Sequence, residues 1–318
     1  MAFQLFSVIR DEGPFLLEWI AYHNSIGFNR IVLFDDGSTD GTPELLAALS
    51  EHAEIRHEVL TVPHGRAPQT FGGDILRTGP YWQNGEWMLW LDPDEFWVPG
   101  DAENLNNWLK ALGKRFPTDF DGICLHWRIF GDAGREQWPG WQLGTGFERA
   151  SLRRFWPGQF FKTLFRMNDA LAEIRVHRPV LSRQKQTVPP VFYAGNAAVV
   201  PEGFWSHDMP QGVPPSTLSF SGRPYALGQV NHYMVRTPDA FSLKSHRGRG
   251  AVARATAQDR PRYTPGYYSR FNRNETGDKR IDPLLPAYLT RRESYLADPK
   301  VRAAHEACCR AAGFLHFG

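Results

Sequence analysis

The first hundred residues alternate between short apolar runs and stretches with helical spacing, and this alternation constrains the fold more than any other feature. "FQLFSVI", "RIVLF", "EIRHEVL" and "EWMLWL" read as four strands, short and β-prone. Between the first two, Phe15, Leu16, Trp19, Ile20 and Ile26 recur at helical spacing; Pro14 suits a first turn and Gly27 a C-terminal cap. After the second, Thr42 and Pro43 open a helix carrying Leu45, Leu46, Ala48 and Leu49, and another helix is expected around Asp74 to Thr78. Strand and helix in alternation imply an α/β fold, a mostly parallel sheet covered on both faces.

Beyond residue 100 the rhythm loosens. A helix near Glu103 to Leu112 precedes a strand, "GICLHWRIF", and a Gly- and Trp-rich loop. A short helix, "ERASLRRF", and the strand "FKTLFR" are expected next, then loops with short strands over residues 180–226. "GQVNHYMV" is strand-like, a basic helix starts at Pro238, and the chain reads as helical again from about Leu284. A chain of 318 residues, 42% of them hydrophobic, can bury one large core. The expected division is a domain over 1–240 and a basic, mainly helical extension over 241–318.

The formal net charge is only +2, but it is unevenly placed. From residue 241 onward stand 15 Lys/Arg against 7 Asp/Glu, leaving 21 against 27 in the body. A basic segment of this kind suits phosphate-bearing partners, or is a solvated surface. Cys124, Cys308 and Cys309 have neither a disulfide framework nor metal-ligand spacing, which fits a reducing, cytoplasmic setting. The N-terminus reads as a strand rather than a leader, and no apolar run is long enough to span a bilayer. Membrane contact, at the inner face, would be peripheral.

In an open parallel sheet, ligands sit outside the C-terminal ends of the strands. Asp35 and Asp36 follow the second strand directly, and Asp92, Asp94 and Glu95 follow the fourth. Crowded carboxylates repel one another and are costly to desolvate. A hard divalent cation, Mn²⁺ or Mg²⁺, relieves this and can bridge diphosphate oxygens; the bland alternative is a solvated acidic turn. Ser38 and Asp40 read as turn and cap chemistry. Trp127, Trp138, Trp141, Trp156 and Trp205 are either sugar-stacking faces or core anchors.

"LFDDGSTDGT" closely resembles the hallmark of family 2 glycosyltransferases, nucleotide-sugar enzymes of the Rossmann-like GT-A fold. "RDEGPFLLEWIAYHNSIGF" is similar to the opening of a subgroup with a "KNEGPYLLEWIAYH"-like start, except that Asp11 replaces its usual Asn. "WMLWLDPDEF" stands where that family carries its Asp-x-Asp. "FKTLFR", "VHRPV" and "VNHYMVRTPDAFSLKSHRGRG" extend the likeness to about residue 250.

The resemblance implies that Asp35 or Asp36, helped by Glu12, holds the base or ribose of a nucleotide-sugar donor. A carboxylate is a good acceptor for a uracil imide or ribose hydroxyls, which agrees with that role; with the resemblance, a UDP-linked donor is the expectation. Asp92 and Asp94 would bind donor and metal, with His232 as a third ligand and His177 and His207 as rivals. Lys162, Lys244, Arg247 and Arg249 are candidates for the diphosphate, where fixed cations stabilise the leaving group. An inverting transfer needs a base for the hydroxyl of a glycan or other acceptor; Glu148 is nominated, with Asp132 as the alternative. Nothing calls for a nucleic-acid partner. A nucleotidyltransferase would carry a Gly-rich basic loop that "RDEGPFLLE" lacks, and a non-catalytic sugar-binding relative is the other competing class.

Overall fold

The computed structural model describes residues 2–100, 103–116, 119–185, 188–206, 217–218, 224–253 and 262–316. The strand and helix rhythm of the first hundred residues is realised closely. β1 (Phe3–Ile9), α1 (Gly13–Ile26), β2 (Arg30–Asp35), α2 (Thr42–Leu49), β3 (Ile55–Val59), α3 (Pro68–Thr78) and β4 (Trp87–Trp90) follow in order. β5 (Glu95–Pro99) comes directly after the Asp-x-Asp turn, where no strand was expected. α4 (Leu105–Arg115), β6 (Gly122–Ile129), β7 (Arg149–Ala150), β8 (Phe161–Arg166), β9 (Leu171–Ile174), β10 (Pro179–Leu181), β11 (Phe192–Tyr193) and β12 (Gly228–His232) continue the chain. It closes with α5 (Pro238–Arg247), α6 (Pro265–Phe271), β13 (Thr276–Gly277), α7 (Leu285–Leu296) and α8 (Pro299–Ala311).

The main sheet runs β3-β2-β1-β4-β8-β6-β12-β5, with β11 beside β6. β1 to β4 are parallel, as are β6 and β12. β8 and β5 run against their neighbours. Side chains of a strand alternate between faces, and here both faces are apolar. Leu5, Ile31, Leu33 and Leu89 join the core under α1, α2 and α4. Phe6, Val32, Phe34 and Met88 join a second core under α3 and the β9–β10 hairpin. Gly73 permits the close approach of α3 to that hairpin, because a Cβ there would stand 2.3 Å from the carbonyl oxygen of Ile174.

The expected helix "ERASLRRF" is not formed. Instead Arg149 and Ala150 are extended, paired with Gly277 and Thr276, and Asp278 N–H donates to the Glu148 carbonyl at 2.9 Å. Pairing with a segment far along the chain overrides local helix propensity here. Trp138, Trp141 and Trp205 are buried core residues, whereas Trp156 is exposed. α7 packs on α1, and α8 packs on both α1 and α2. Buried Glu18 of α1 ties these layers together: its oxygens accept from Gln142 N–H at 2.8 Å, Leu143 N–H at 2.7 Å and the Tyr288 hydroxyl at 3.0 Å. Among the described residues no helix is long and apolar enough to cross a membrane.

Candidate active site

The loops after β1 and β2 are knitted by their own polar side chains. Asp11, at φ 47, lies in the left-handed region where Asp and Asn are tolerated better than most residues. Its carboxylate accepts from Thr39 N–H at 2.8 Å, and its N–H donates to Ser38 Oγ at 2.8 Å. Asp40 accepts from Gly13 N–H at 2.9 Å and from Thr42 N–H at 3.1 Å. Ser38 and Asp40 thus serve the turn. Asp35 is fully buried in the same network, accepting from Ser38 N–H at 2.8 Å, with His57 Nε2 at 3.4 Å. Burial opposes its ionisation, but His57 and Ser38 outweigh it and hold the carboxyl below the ordinary range. Asp36 lines a cleft beyond the strand ends; Asp35 does not.

That cleft has a volume of about 590 Å³ and runs from the ends of β1 and β2 to the ends of β6 and β12. Glu12 and Asp36 line one end; Asp92, Asp94, His232, Trp127 and His177 line the other. Lys244, Arg247 and Arg249, on α5 and just after it, form its wall together with Arg10 and Arg262. Lys162 lies behind the wall, fully buried, 3.1 Å from Asp92 Oδ2 and 3.0 Å from Glu95 Oε2. The structure therefore gathers Glu12, Asp36, Asp92, Asp94, His232, Lys244, Arg247 and Arg249 around one cavity, with Lys162 bracing it.

The Asp-x-Asp turn is held from several sides. Glu95 Oε2 accepts from Asp92 N–H at 2.8 Å, and Arg236 donates to the Pro93 carbonyl at 2.9 Å. One ammonium, Lys162, serves two carboxylates. Asp92 keeps some contact with solvent while Glu95 has none, so burial pushes Glu95 up to about 8 against the pull of Lys162. Burial also opposes charge on Asp94, but Lys244, His232 and Arg236 outweigh it and hold that carboxyl well below the ordinary range. Burial keeps His232 neutral by lowering its pKa, against the attraction of Asp94. On α5, Lys244 bonds Asp94, and Arg247 bonds Glu12.

Asp94 Oδ1 and His232 Nε2 stand 3.4 Å apart. Adjacent ligands of an octahedral ion with bonds of about 2.1 Å stand about 3 Å apart, so this carboxylate–imidazole pair fits Mn²⁺ or Mg²⁺. Asp92 instead faces Lys162 and, at 3.2 Å, Gln69 Nε2. Among the described residues no three His, Cys, Asp or Glu side chains surround one point, so diphosphate oxygens or water would complete the shell. His207 lies outside the described residues.

Neither nominated base reaches the cleft. Asp132 is buried and saturated: it accepts from Tyr268 Oη at 2.7 Å, Asn272 Nδ2 at 2.6 Å, Asn274 Nδ2 at 3.0 Å and Gly134 N–H at 2.8 Å. A carboxylate so engaged organises a loop. Glu148 pairs with Lys279 at 2.9 Å on the surface. Two residues gain roles that the sequence did not suggest. Arg236 sits between Glu12 and the Asp-x-Asp turn, stacked 3.6 Å over the Phe15 ring. His177 donates from Nδ1 to the Phe161 carbonyl at 2.8 Å, which leaves Nε2 as an acceptor on a ring that lines the cleft. Burial, helped by Lys162, lowers its pKa to about 4 and keeps it neutral. "VHRP" marked this histidine only as a rival metal ligand.

A doubly covered α/β sheet with acidic strand ends facing a cationic wall is the architecture expected of a GT-A fold. The family model "Glycosyl transferase family 2" matches residues 12–177, more than half of the chain, and the chain belongs to that family. A glycosyltransferase family 92 protein of Oryza sativa subsp. japonica is 28% identical over 145 residues, 44% of this chain and 23% of the relative. One of Ricinus communis is 25% identical over 142 residues, 44% of this chain and 25% of the relative. The chain thus spans about a quarter of the length of the curated relatives it matches. Among solved structures, S. aureus TarS 1-349 in complex with UDP aligns at 18% identity and a TM-score of 0.32, over 42% of this chain and 37% of that one. S. aureus TarS 1-349 aligns at 14% identity and a TM-score of 0.33, over 98% and 81%.

Proposed function

We propose that the chain transfers a sugar from a UDP-linked donor to a hydroxyl of a glycan or other acceptor, with inversion at the anomeric carbon and with Mn²⁺ or Mg²⁺. The observation that carries this reading is the single cleft in which Glu12 and Asp36 stand at one end, Asp94 and His232 at the other, and Lys244, Arg247 and Arg249 along the wall. Asp36, helped by Glu12, accepts hydrogen bonds from the ribose or base. Arg247, Arg249 and Lys244 take the diphosphate, where fixed cations bind the departing charge more tightly than the intact donor. Asp94 and His232 would hold the divalent ion, which would supply further neutralisation of the leaving diphosphate. His177, a neutral acceptor at the far end of the cleft, receives the hydrogen bond of the attacking hydroxyl and orients it towards the anomeric carbon. Three free, buried cysteines accord with work in a reducing compartment.

The test is a screen of UDP-, GDP- and TDP-sugars for metal-dependent binding to the purified chain, followed by hydrolysis of those that bind. Binding of a UDP-sugar that needs Mn²⁺ or Mg²⁺ is expected. Binding indifferent to chelators refutes the metal, and failure of every nucleotide sugar refutes the donor class.

A further inference from the structure

Lys244 and Arg247 lie one turn apart on α5 and both face the cleft. Each already has a carboxylate partner. Lys244 Nζ donates to Asp94 Oδ2 and, at 2.9 Å, to the Met234 carbonyl; Arg247 pairs with Glu12. Lys162 answers Asp92 and Glu95, and Arg236 Nη1 lies 3.7 Å from Glu12. Every carboxylate at the metal end is thus paired with a cation from the chain itself. A divalent ion arriving alone at Asp94 Oδ1 would meet the charge of the Lys244 ammonium held on Oδ2 of the same carboxylate. A nucleoside diphosphate changes the balance. Its negative oxygens offer Lys244 and Arg247 new partners, and the flexible four-carbon stem of lysine lets Nζ swing without moving the helix.

Resting on the nucleotide-sugar reading above, we propose that Lys244 is a resident counter-cation on Asp94. It yields that carboxylate to the divalent ion only when the donor's diphosphate takes the ammonium in exchange, so metal and donor load as a pair. Lys244 is a positioning residue for the metal as well as a phosphate ligand. Because the coupling is thermodynamic, UDP tightens metal binding by the same factor as metal tightens UDP. A salt bridge of purely structural character gives a different pattern: loss of Lys244 then leaves the coupling between UDP and metal as it is in wild type.

The experiment reads free Mn²⁺ by electron paramagnetic resonance during titration of the full chain, with UDP as the nucleotide probe and with correction for the Mn²⁺–UDP complex in solution. Without UDP, Lys244→Gln and Lys244→Met are each expected to bind one Mn²⁺ about tenfold or more tighter than wild type, within the usual range of site–site coupling. Adding Asp94→Asn to Lys244→Gln should remove that site. UDP should tighten Mn²⁺ binding by wild type about tenfold and by Lys244→Gln far less. Glutamine can keep hydrogen bonds to Asp94 and to the Met234 carbonyl, so it guards against misfolding of the methionine variant. Wild-type Mn²⁺ affinity that ignores UDP although UDP binds, or variants within about twofold of wild type without nucleotide, overturns the proposal. Failure of UDP to bind any form, measured by calorimetry, overturns the nucleotide reading, while the metal affinities of the variants still decide the role of Lys244.

Discussion

Replacing Lys162 by Met is the sharpest perturbation of the site's scaffold, because its effect must change with pH in a way the geometry dictates. Lys162 is fully buried and shared between Asp92 and Glu95. Above pH 8 Glu95 is ionised in the wild-type fold, since burial raises its pKa to about 8. Loss of Lys162 makes that carboxyl keep a proton instead, which costs about 1.4 kcal/mol for each pH unit above 8. Unfolding entropy of about 2.1 cal/mol/K per residue sums to about 0.7 kcal/mol per degree for 318 residues, so with the lost Asp92 pair the melting temperature should fall by about 3–4 °C at pH 9. A carboxyl with a raised folded pKa gives stability that is complete below its unfolded value of about 4.3 and is lost as pH rises through the folded value. In the variant no ammonium opposes burial, so that folded value moves higher still. The two proteins therefore diverge only from about pH 8 upward. At pH 6 Glu95 is protonated in both, only the partly exposed Asp92 loses a partner, and the drop should shrink to about 1–2 °C. Thermal melts by circular dichroism across pH 6 to 9 decide the matter. A deficit equal at both ends, or larger at pH 6, refutes the claim that Lys162 chiefly neutralises Glu95.

Asp36→Ala should weaken UDP binding by about ten- to a hundredfold, equivalent to about 1.5–3 kcal/mol, whereas Asp35→Ala should chiefly lower the melting temperature; calorimetry with UDP separates them. The Arg247→Ala/Arg249→Ala double variant should bind UDP more weakly, with a deficit that shrinks as salt rises, and wild-type affinity at low salt would return this segment to plain surface. Asp132→Ala should destabilise the fold by about 3 kcal/mol or more through its lost hydrogen bonds, while Glu148→Gln should leave both stability and donor hydrolysis unchanged; a catalytic collapse in Glu148→Gln would restore it as the base.

What the sequence made legible was local. β1, β2 and β4 announce themselves by compact apolar runs, and the acids at their ends follow at once in the chain. "DGSTDGT" shows its turn chemistry in its own residues, because Ser38, Asp40 and Thr42 bond within a few positions. β5 was hidden because "EFWVP" continues an acidic turn, and it becomes a strand only by pairing with β12, far along the chain. Glu148 looked like the opening of a helix until Thr276 and Gly277 supplied a strand partner. Asp132 carried no mark of its distant ligands Asn272 and Asn274. Arg236 shows the same limit: its contacts to Pro93, Glu12 and Phe15 are all made across the fold.

The three-way junction at Glu18 also bears on how such enzymes can diversify. One carboxylate of the first helix fixes both the tryptophan-rich loop, through Gln142 and Leu143, and α7, through Tyr288. Val301, Cys308 and Cys309 of α8 are buried in the core cluster that also holds Leu45 and Leu49 of α2. A lineage that exchanged its C-terminal helices for another set would strip the outer surface of the first helix and leave a buried acid without its hydroxyl partner. Recombination at the end of α5 is therefore blocked unless α1 changes with it.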